Sequence, residues 1–434
     1  MRGPFDKLRA NGVLRLNLLR ATQASPGFPV LFKGGFIAMV IKVFGIIAFL
    51  IVFASCSSGT SNTPTPLPST AATYAVQIDG ESPTYNAGFI AYFPNELTVH
   101  PGDTVQFKLV DRGEPHSVTF GSLIEQGLAA ADKANQAEPG SGDRVPEMVS
   151  IPDIIPGPGD AVQAAAQPCY LATGGPPAQD ACAKAQQTQP SLTGKQSFYN
   201  SGWLATDQTF TVKLADDIAP GTYRYMCLLH RSEMSGKVTV VAKSATADTP
   251  AQAKQKGDQQ LAKLVQDLKP AADQLASLTP ANAQAGNLSE KVLNGQVNQF
   301  GPKPINIKVG ESVTWTILGP HTISFNATQD ANGVRGPTAP DGSLHLNIAA
   351  VSPAGGPGQP EPPANAPPPP ANAAPGPPII VDAGSWDGTG FRSSGLFVSF
   401  PPQLFAYKLT FTKAGTYKYQ CLIHDKMEAA VNVQ

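Results

Sequence analysis

Apolar and polar residues alternate with a period of two in a segment that occurs twice in this chain. The first copy is FPNELTVHPGDTVQFKLVDRGEPHSVTF at 93–120, and the second is PINIKVGESVTWTILGPHTISF at 304–325. Such alternation predicts strands with one buried face, and Gly102 or Gly310 marks the turn between two of them. Each copy is therefore predicted to form a β-hairpin. The matching apolar positions are Leu97, Val99, Val105, Phe107 and Leu109 in the first copy and Ile305, Ile307, Val313, Trp315 and Ile317 in the second.

A second motif is also repeated, and it again alternates on both sides of a short connection. Its copies are GTYRYMCLLHRSEMSGKVTVV at 221–241 and GTYKYQCLIHDKMEAAVNVQ at 415–434. Short alternating strands with glycine and proline turns favour antiparallel sandwiches over parallel α/β sheets. The predicted fold is all-β, with two tandem Greek-key β-sandwich domains, a helical linker and long irregular insertions.

The repeats divide the chain into two predicted domains. Its 434 residues are enough for two, because one domain takes roughly 100 to 200 residues. Domain 1 is predicted to span 74–242, with an insertion at 121–197 that has two weak helical patterns. Domain 2 is predicted to span 291–434, with a proline-rich insertion at 350–380, and the proline cluster near 352–378 cannot form a helix or a central strand.

The linker 243–290 has apolar residues at helical spacing, interrupted by Pro270. This pattern predicts an amphipathic helix that either braces the two domains or tethers them loosely. The apolar positions are Leu261, Leu264, Val265, Leu268, Leu275 and Leu278.

The N-terminal segment 1–56 has the features of a leader that ends at a cysteine. Met39 is followed by the short apolar run VFGIIAFLIVFA and then by Ser55 and Cys56. We predict a bacterial lipoprotein signal that starts at Met39, with lipid attached to Cys56. A transmembrane anchor is the alternative, although the run is shorter than the about 20 apolar residues that cross a bilayer. Segment 57–73 is polar and contains proline, which predicts a flexible tether.

Charge excludes one class of partner. The net charge is −1 and only 15% of the residues are charged, so the chain has no basic excess that would favour nucleic acid. We expect no nucleic-acid partner.

Each repeat contains one histidine in its first motif and a Cys-x-x-His pair followed by methionine in its second. A thiolate, two imidazoles and a weak thioether are the ligand set that favours copper, with a trigonal His₂Cys plane and a long axial methionine. A structural zinc site is the alternative, because zinc also binds Cys and His, but zinc would not need the methionine. We predict two copper sites, one per domain. The predicted ligands are His116, Cys227, His230 and Met234 in domain 1 and His321, Cys421, His424 and Met427 in domain 2.

With these motifs the chain resembles the cupredoxin family, the blue-copper proteins typified by plastocyanin, amicyanin and azurin. The resemblance covers 93–120 and 198–241, and again 304–325 and 391–434. The Cys-x-x-His-x-x-Met spacing of the second copy is similar to that of amicyanin. The first copy has one residue more before Met234, so this methionine departs from that pattern.

The resemblance implies a role for each histidine. His116 and His321 would be buried on a strand, whereas His230 and His424 would be the partly exposed ligands through which electrons enter and leave. It also implies an electron-transfer protein with one blue copper site in each domain.

The remaining cysteines fit an exported protein. Cys169 and Cys182 lie a short loop apart in CYLATGGPPAQDAC, and an oxidising compartment favours a disulfide between them. Two free cysteines in a loop are the alternative.

Histidine counting separates a carrier from an enzyme. The chain has six histidines and no His-x-His pair, so it cannot build an open metal site for a substrate unless a second subunit supplies histidines. We expect no enzyme activity. We expect a carrier that is lipid-anchored in the cell membrane, faces the periplasm or exterior, and exchanges electrons with redox partner proteins of the membrane or periplasm. A copper-binding protein for storage, delivery or resistance is the alternative.

Overall fold

Strands make up most of the regular secondary structure of the described chain, which confirms the predicted fold class. A computed structural model describes residues 70–110, 114–137, 141–152, 168–177, 189–328, 333, 347–360 and 376–434. The predicted leader, Cys56, most of the predicted tether, and Cys182 lie outside these residues. Among the helices of the described residues, none is long and apolar enough to cross a membrane.

The first half of the described chain contains ten strands and two helices. The helices are α1 (Ser122–Ala137) and α2 (Pro146–Val149), both in the predicted insertion. The strands are β1 (Thr73–Glu81), β2 (Ala87–Phe93), β3 (Glu96–Val99), β4 (Thr104–Leu109), β5 (Thr119–Phe120), β6 (Cys169–Leu171), β7 (Phe198–Asn200), β8 (Thr209–Lys213), β9 (Gly221–Cys227) and β10 (Arg231–Val240).

The second half follows helix α3 (Pro250–Ala276) and also contains the short helix α4 (Ile348–Val351). Its strands in the described residues are β11 (Gln284–Ser289), β12 (Val292–Gly301), β13 (Ile305–Ile307), β14 (Ser312–Ile317), β15 (Gly319–His321), β16 (Ser324–Phe325), β17 (Ile379–Trp386), β18 (Arg392–Ser393), β19 (Phe397–Ser399), β20 (Phe405–Phe411), β21 (Gly415–Gln420) and β22 (Glu428–Val433).

The strands on either side of Gly102 do not pair with each other, so the predicted hairpins of the first motif are wrong. β3 pairs with β10, whereas β4 pairs with β1 and β8. Likewise β13 pairs with β22, whereas β14 pairs with β20 and β11. Alternation specifies which face of a strand is buried, and it is the same whether the next strand lies beside it or in the opposite layer. The two strands that flank the turn in each copy therefore lie in opposite layers of a sandwich.

One nine-stranded sheet runs through both halves, in the order β17-β20-β14-β11-β12-β2-β1-β4-β8. The opposite layer is β3-β10-β9-β5-β7-β6 in the first half and β13-β22-β21-β16-β18 in the second. The halves join at β2 and β12, which pair antiparallel with Gln296 opposite Gly88. These two strands occupy equivalent places in the repeat, since each follows and pairs with the first strand of its half.

Helix α3 lies across this joint. It begins with a capping box in which the Thr249 side chain accepts a hydrogen bond from the Gln252 backbone N–H at 3.2 Å. It then continues through Pro270 and packs its apolar face on β2 and β12. The predicted helix is confirmed, and it braces the halves rather than tethering them loosely. The residues packed here are Leu268, Ala271, Ala272 and Leu275 with Ala87, Phe89, Ala91, Phe93, Val292 and Val297.

Strand β11 begins at Gln284, inside the segment 243–290 that the sequence indicated as linker. Its sequence QAGNLS has almost no apolar alternation, so the pattern gave no sign of a strand. Pairing with β12 and β14 supplies the structure that local sequence does not.

The insertion of the first half packs against the loop after β9. Helices α1 and α2 form a buried apolar cluster with Met226 and Leu228. The buried Arg231 guanidinium donates to the backbone carbonyls of Met148 at 2.6 Å and Ile151 at 3.0 Å. The insertion therefore covers the outer side of the loop that contains the predicted ligands.

Candidate metal centres

Three donor atoms of the first half converge at the end of β9. Cys227 ends this strand, His230 follows in the loop, and His116 lies just before β5. The Cys227 Sγ atom is 3.7 Å from His116 Nδ1 and 3.8 Å from His230 Nδ1. The two Nδ1 atoms are 3.2 Å apart. Since Cys227 and His116 are 111 positions apart in the sequence, it is the sandwich that brings them together.

The second half builds the same arrangement at the end of β21. The Cys421 Sγ atom is 4.0 Å from His321 Nδ1 and 3.5 Å from His424 Nδ1. The two Nδ1 atoms are 3.1 Å apart. The structure thus brings together three of the four predicted ligands in each half.

These spacings fit a single metal ion in each triad. Donors bound to one ion at about 2.0 to 2.3 Å, with bond angles from about 100° to 130°, lie about 3.1 to 3.9 Å from each other. In each triad all donor atoms lie within 4.8 Å of one another, with both cysteines and the upstream histidines fully or almost fully buried. Two imidazoles and one thiolate in a buried trigonal set suit copper by the softness and number of the donors.

The predicted fourth ligands are buried near the triads. Met234 and Met427 belong to the same buried apolar clusters as Cys227 and Cys421, respectively. In the second half, the Cys421 backbone N–H also donates to the Met427 carbonyl at 2.9 Å. Met226 belongs to the cluster of the insertion instead, because it is adjacent to Cys227 on β9 and its side chain therefore points to the opposite face.

A hydroxyl residue next to the upstream histidine organises each cysteine. The backbone N–H of Ser117 points at Cys227 Sγ at 3.4 Å, and its Oγ accepts from the Leu228 N–H at 2.9 Å. Thr322 makes the same two contacts in the second half, at 3.4 Å to Cys421 Sγ and 2.7 Å from the Leu422 N–H. A sulfur that accepts a backbone N–H is stabilised as a thiolate.

Both thiols have a depressed pKa. Burial alone would raise the pKa of Cys227, but hydrogen bonds from His116 and His230 and the charge of these rings hold it well below its usual value. For Cys421 burial is again outweighed, first by the charge of His424 and then by hydrogen bonds from both histidines. Thiolates are the form that binds a metal ion.

The surroundings of the upstream histidines differ between the halves. Asp79 stands at a bulge of β1 with a φ of 61°, and its buried carboxylate lies 2.5 Å from His116 Nε2. The equivalent bulge of β11 has Gly286, with a φ of 78°. A Cβ atom at Gly286 would overlap His321 Nε2 and the Leu318 carbonyl, so no side chain fits there.

This difference reverses the pKa shifts of the two histidines. Burial alone would lower the pKa of His116, but the charge and hydrogen bond of Asp79 hold it well above its usual value. Burial lowers the pKa of His321, which has no carboxylate among the groups that act on it.

A carboxylate from the first half also contacts both triads. Glu114 Oε2 is 3.2 Å from His230 Nε2, and Glu114 Oε1 is 3.6 Å from His424 Nε2. Burial alone would raise the pKa of Glu114, but hydrogen bonds from the two histidines hold it well below its usual value. Against the lowering effect of burial, the cysteine thiolate of each triad and the Glu114 carboxylate raise the pKa of His230 to about 9 and that of His424 to about 10.

The expected exposure of the histidines is right for three of them and wrong for the fourth. His116 and His321 are completely buried, and the His230 side chain is 18% exposed. His424 was expected to be partly exposed, but its side chain is only 4% exposed. It lies against Glu114 and against Gln296 of β12, whose side-chain amide nitrogen is 3.0 Å from His424 Nε2.

Sequence reasoning missed Asp79, Glu114 and Gln296. A signal existed for Glu114, because the motif GEPHSVTF has glutamate where the motif GPHTISF has Gly319. A charged residue in place of glycine, two positions before a predicted ligand, indicates that the surroundings of the two ligands differ. Asp79 and Gln296 lie on strands outside the repeated motifs, so no comparison of the motifs could have found them.

Only one cysteine of the predicted disulfide, Cys169, lies within the described residues. Cys169 begins β6, is buried, and is disulfide-bonded. Its predicted partner Cys182 lies outside the described residues.

No protein-family model and no curated protein matches this chain. Among solved structures, it is similar to dithionite-reduced auracyanin from Roseiflexus castenholzii, with 19% identity and a TM-score of 0.21, covering 39% of this chain and 98% of that one. Auracyanin A from Chloroflexus aurantiacus, a "blue" copper protein, has 19% identity and a TM-score of 0.19, covering 40% and 100%. An oxidised amicyanin mutant has 15% identity and a TM-score of 0.18, covering 39% and 82%. At these scores the similarity assigns neither a ligand nor an activity to the chain.

Proposed function

We propose that this chain is an electron-transfer protein with two mononuclear type 1 copper sites, one in each half. The supporting observation is the convergence of two histidine nitrogens and one cysteine sulfur in each half, with a buried methionine in the same apolar cluster as each cysteine. Copper, when bound, would supply one-electron chemistry by changing between Cu(I) and Cu(II). The proposed ligands are His116, Cys227, His230 and Met234, and His321, Cys421, His424 and Met427.

The protein's part in this function is to keep the donors in place. Each upstream histidine and cysteine is fixed by strands of the sandwich, and each cysteine sulfur accepts a backbone N–H. A rigid donor set needs little rearrangement between oxidation states, so electron transfer needs little activation. Buried Leu228 in the first loop and Leu422 and Ile423 in the second exclude water from the donors.

We propose a carrier rather than an enzyme. A catalytic metal needs a vacant position for its substrate. The six histidines of the chain include no His-x-His pair, and the proposed ligands use four of them. Storage or delivery of copper uses the same donors, and the experiment below separates it from electron transfer.

We propose that the protein is attached to the cell membrane by lipid on Cys56, faces the periplasm or exterior, and exchanges electrons with redox partner proteins there. The support is the apolar run before Cys56 and the polar segment after it. Mass spectrometry of the mature protein tests this: we expect an acylated Cys56 as the first residue. A mature chain that still contains residues 39–55 would rule the anchor out.

Copper titration tests the function. We expect two intense blue centres per chain, one lost in Cys227→Ser and the other in Cys421→Ser, and each cycling reversibly at full occupancy. Met234→Leu should shift the spectrum of the first centre, whereas the matched control Met226→Leu should not, because Met226 faces the insertion. A colourless or zinc-preferring protein would reject the proposal, and ready loss of copper to a chelator would favour storage.

A further inference from the structure

Glu114 is placed between the two triads. It belongs to the first half, yet its two carboxylate oxygens face the outer nitrogens of one histidine from each half, at 3.2 Å from His230 Nε2 and 3.6 Å from His424 Nε2. Its side chain is only 15% exposed. A shielded carboxylate with an imidazole on each side is a short connection between two buried sites.

In both histidine rings one nitrogen faces the metal site and the other faces Glu114. In both histidines Nδ1 faces the cysteine sulfur, at 3.8 Å for His230 and 3.5 Å for His424. A neutral imidazole that uses Nδ1 as a metal ligand has its proton on Nε2 and donates it outward. Glu114 Oε2 is within hydrogen-bond distance of His230 Nε2, whereas Glu114 Oε1 at 3.6 Å is an ion-pair neighbour of His424 Nε2, which also lies 3.0 Å from the Gln296 amide nitrogen. A carboxylate that accepts from Nε2 holds the ring in the tautomer that a metal ion requires.

The outer histidine of the second triad is less exposed than that of the first. The His424 ring is covered by Glu114 and Gln296, and its side chain is 4% exposed, whereas the His230 side chain is 18% exposed. Gln296 itself is buried at the joint of the two halves. A donor or acceptor protein can therefore approach the outer histidine of the first triad more closely than that of the second.

We propose that Glu114 is a positioning residue that couples the two centres, so that electrons pass between them through His230, Glu114 and His424 and reach the second centre by way of the first. This inference rests on the proposed function, because it requires a redox-active ion in each triad. In each step one electron leaves one centre, which is oxidised, and enters the other, which is reduced. No bond forms or breaks and no proton leaves the carboxylate or the rings.

The experiment uses the whole soluble chain with copper in both triads. A pulse that supplies less than one electron per chain is followed by absorbance as the electron redistributes between the centres, whose separate spectra come from Cys227→Ser and Cys421→Ser. We expect redistribution to slow by about tenfold or more in Glu114→Ala, the scale on which residues that orient metal ligands act. Glu114→Gln should be intermediate, because it keeps one acceptor oxygen but replaces the other with a donor nitrogen and loses the negative charge.

Glu81→Gln is the matched control. Glu81 also pairs across the two halves, with Lys426 at 3.6 Å, but both of these side chains are exposed. We expect its redistribution rate to equal that of the parent chain. Equal rates in Glu114→Ala, with both centres loaded, would overturn the coupling and leave the proposed function intact. Failure of the parent chain to bind copper would instead reject the proposed function.

A spectroscopic measurement covers the case in which Glu114→Ala does not fold. In the diamagnetic Cu(I)-loaded parent chain labelled with ¹⁵N-histidine, we expect Nε2 of both His230 and His424 to carry a proton. Both protons should lie close to the Glu114 carboxylate, and the proton of His424 should exchange slowly with solvent. An unprotonated Nε2 on either ring, or fast exchange at His424, would overturn the inference without any variant.

Discussion

In the first half of the molecule a carboxylate stands at the bulge of β1 and another lies two residues before the upstream histidine, whereas the second half has glycine at both places. Asp79 corresponds to Gly286, and Glu114 corresponds to Gly319. The three donors themselves have nearly the same spacing in both halves. The repeat has therefore kept the donor set and changed the charges around it.

This comparison teaches how two equal ligand sets can differ in chemistry. A carboxylate that accepts the outer N–H of a metal-bound imidazole makes that imidazole a stronger donor. A stronger donor favours the more highly charged Cu(II). We expect the first centre to have the lower reduction potential and the second centre, where no carboxylate acts on His321, to hold the electron at equilibrium.

The largest change should follow from a side chain at the second bulge. In Gly286→Ala the new Cβ would overlap His321 Nε2 and the Leu318 carbonyl, in a backbone conformation that alanine rarely adopts. We expect the second centre to be lost, so that copper binding falls from two ions per chain to one. Metal analysis after gel filtration measures this.

Gly384→Ala is the matched control for that variant. Gly384 has a φ of 75°, close to that of Gly286, but a Cβ there meets nothing within 4 Å. It should retain two ions. Two ions in Gly286→Ala would mean that the bulge leaves more room at His321 than the structure shows.

Loss of the Asp79 charge should have a smaller effect on copper binding. In Asp79→Asn, His116 loses its charged acceptor, and we expect the copper affinity of the first centre to fall by about 10- to 100-fold and its potential to rise. Competition with a chelator in the Cys421→Ser background isolates this centre. The control is Asp103→Asn, another buried aspartate of the first half, whose carboxylate accepts from the Ala72 and His100 N–H groups. An unchanged affinity in Asp79→Asn would remove the asymmetry argued above.

The smallest effect concerns what the two halves share. Ser117→Ala and Thr322→Val each deprive a buried backbone N–H in the ligand loop of its acceptor, which should cost about 1 kcal/mol of unfolding free energy. Denaturant titration of the metal-free chain should give similar losses for both. Thr222→Val, at an exposed hydroxyl of β9, should have almost no effect. Unequal losses would show that the halves differ in their ligand loops as well as around them.

The repeat predicted the donors because it compares two versions of one local pattern. Cysteine, histidine and methionine recur in order while the flanking residues change, and the triads that the structure assembles contain the predicted histidines and cysteines. The sandwich class followed from the same alternation. Pairing partners did not, since β3 and β4 have the pattern of a hairpin and yet lie in opposite layers.

The residues around the donors could not be predicted, because their contacts join distant parts of the chain. Glu114 meets His424 only when β2 pairs with β12, and neither strand carries a signal for the other. Strand β12 even has buried polar residues, Gln296 and Asn298, that argue against a central position in a sheet. The burial of His424 follows from the same joint, which is why the exposure expected for it was wrong.

The joint between β2 and β12 has a consequence for how the molecule can be handled. If the halves were separated, β2 and β12 would each become an edge strand of its sheet. Backbone groups would then be unpaired from Ala87 to Phe89 and from Gly295 to Val297. Exposed edge strands promote self-association of chains. Each half thus serves as the protective cover of the other, and fragments cut between them should be prone to aggregate even though each retains a complete set of donors.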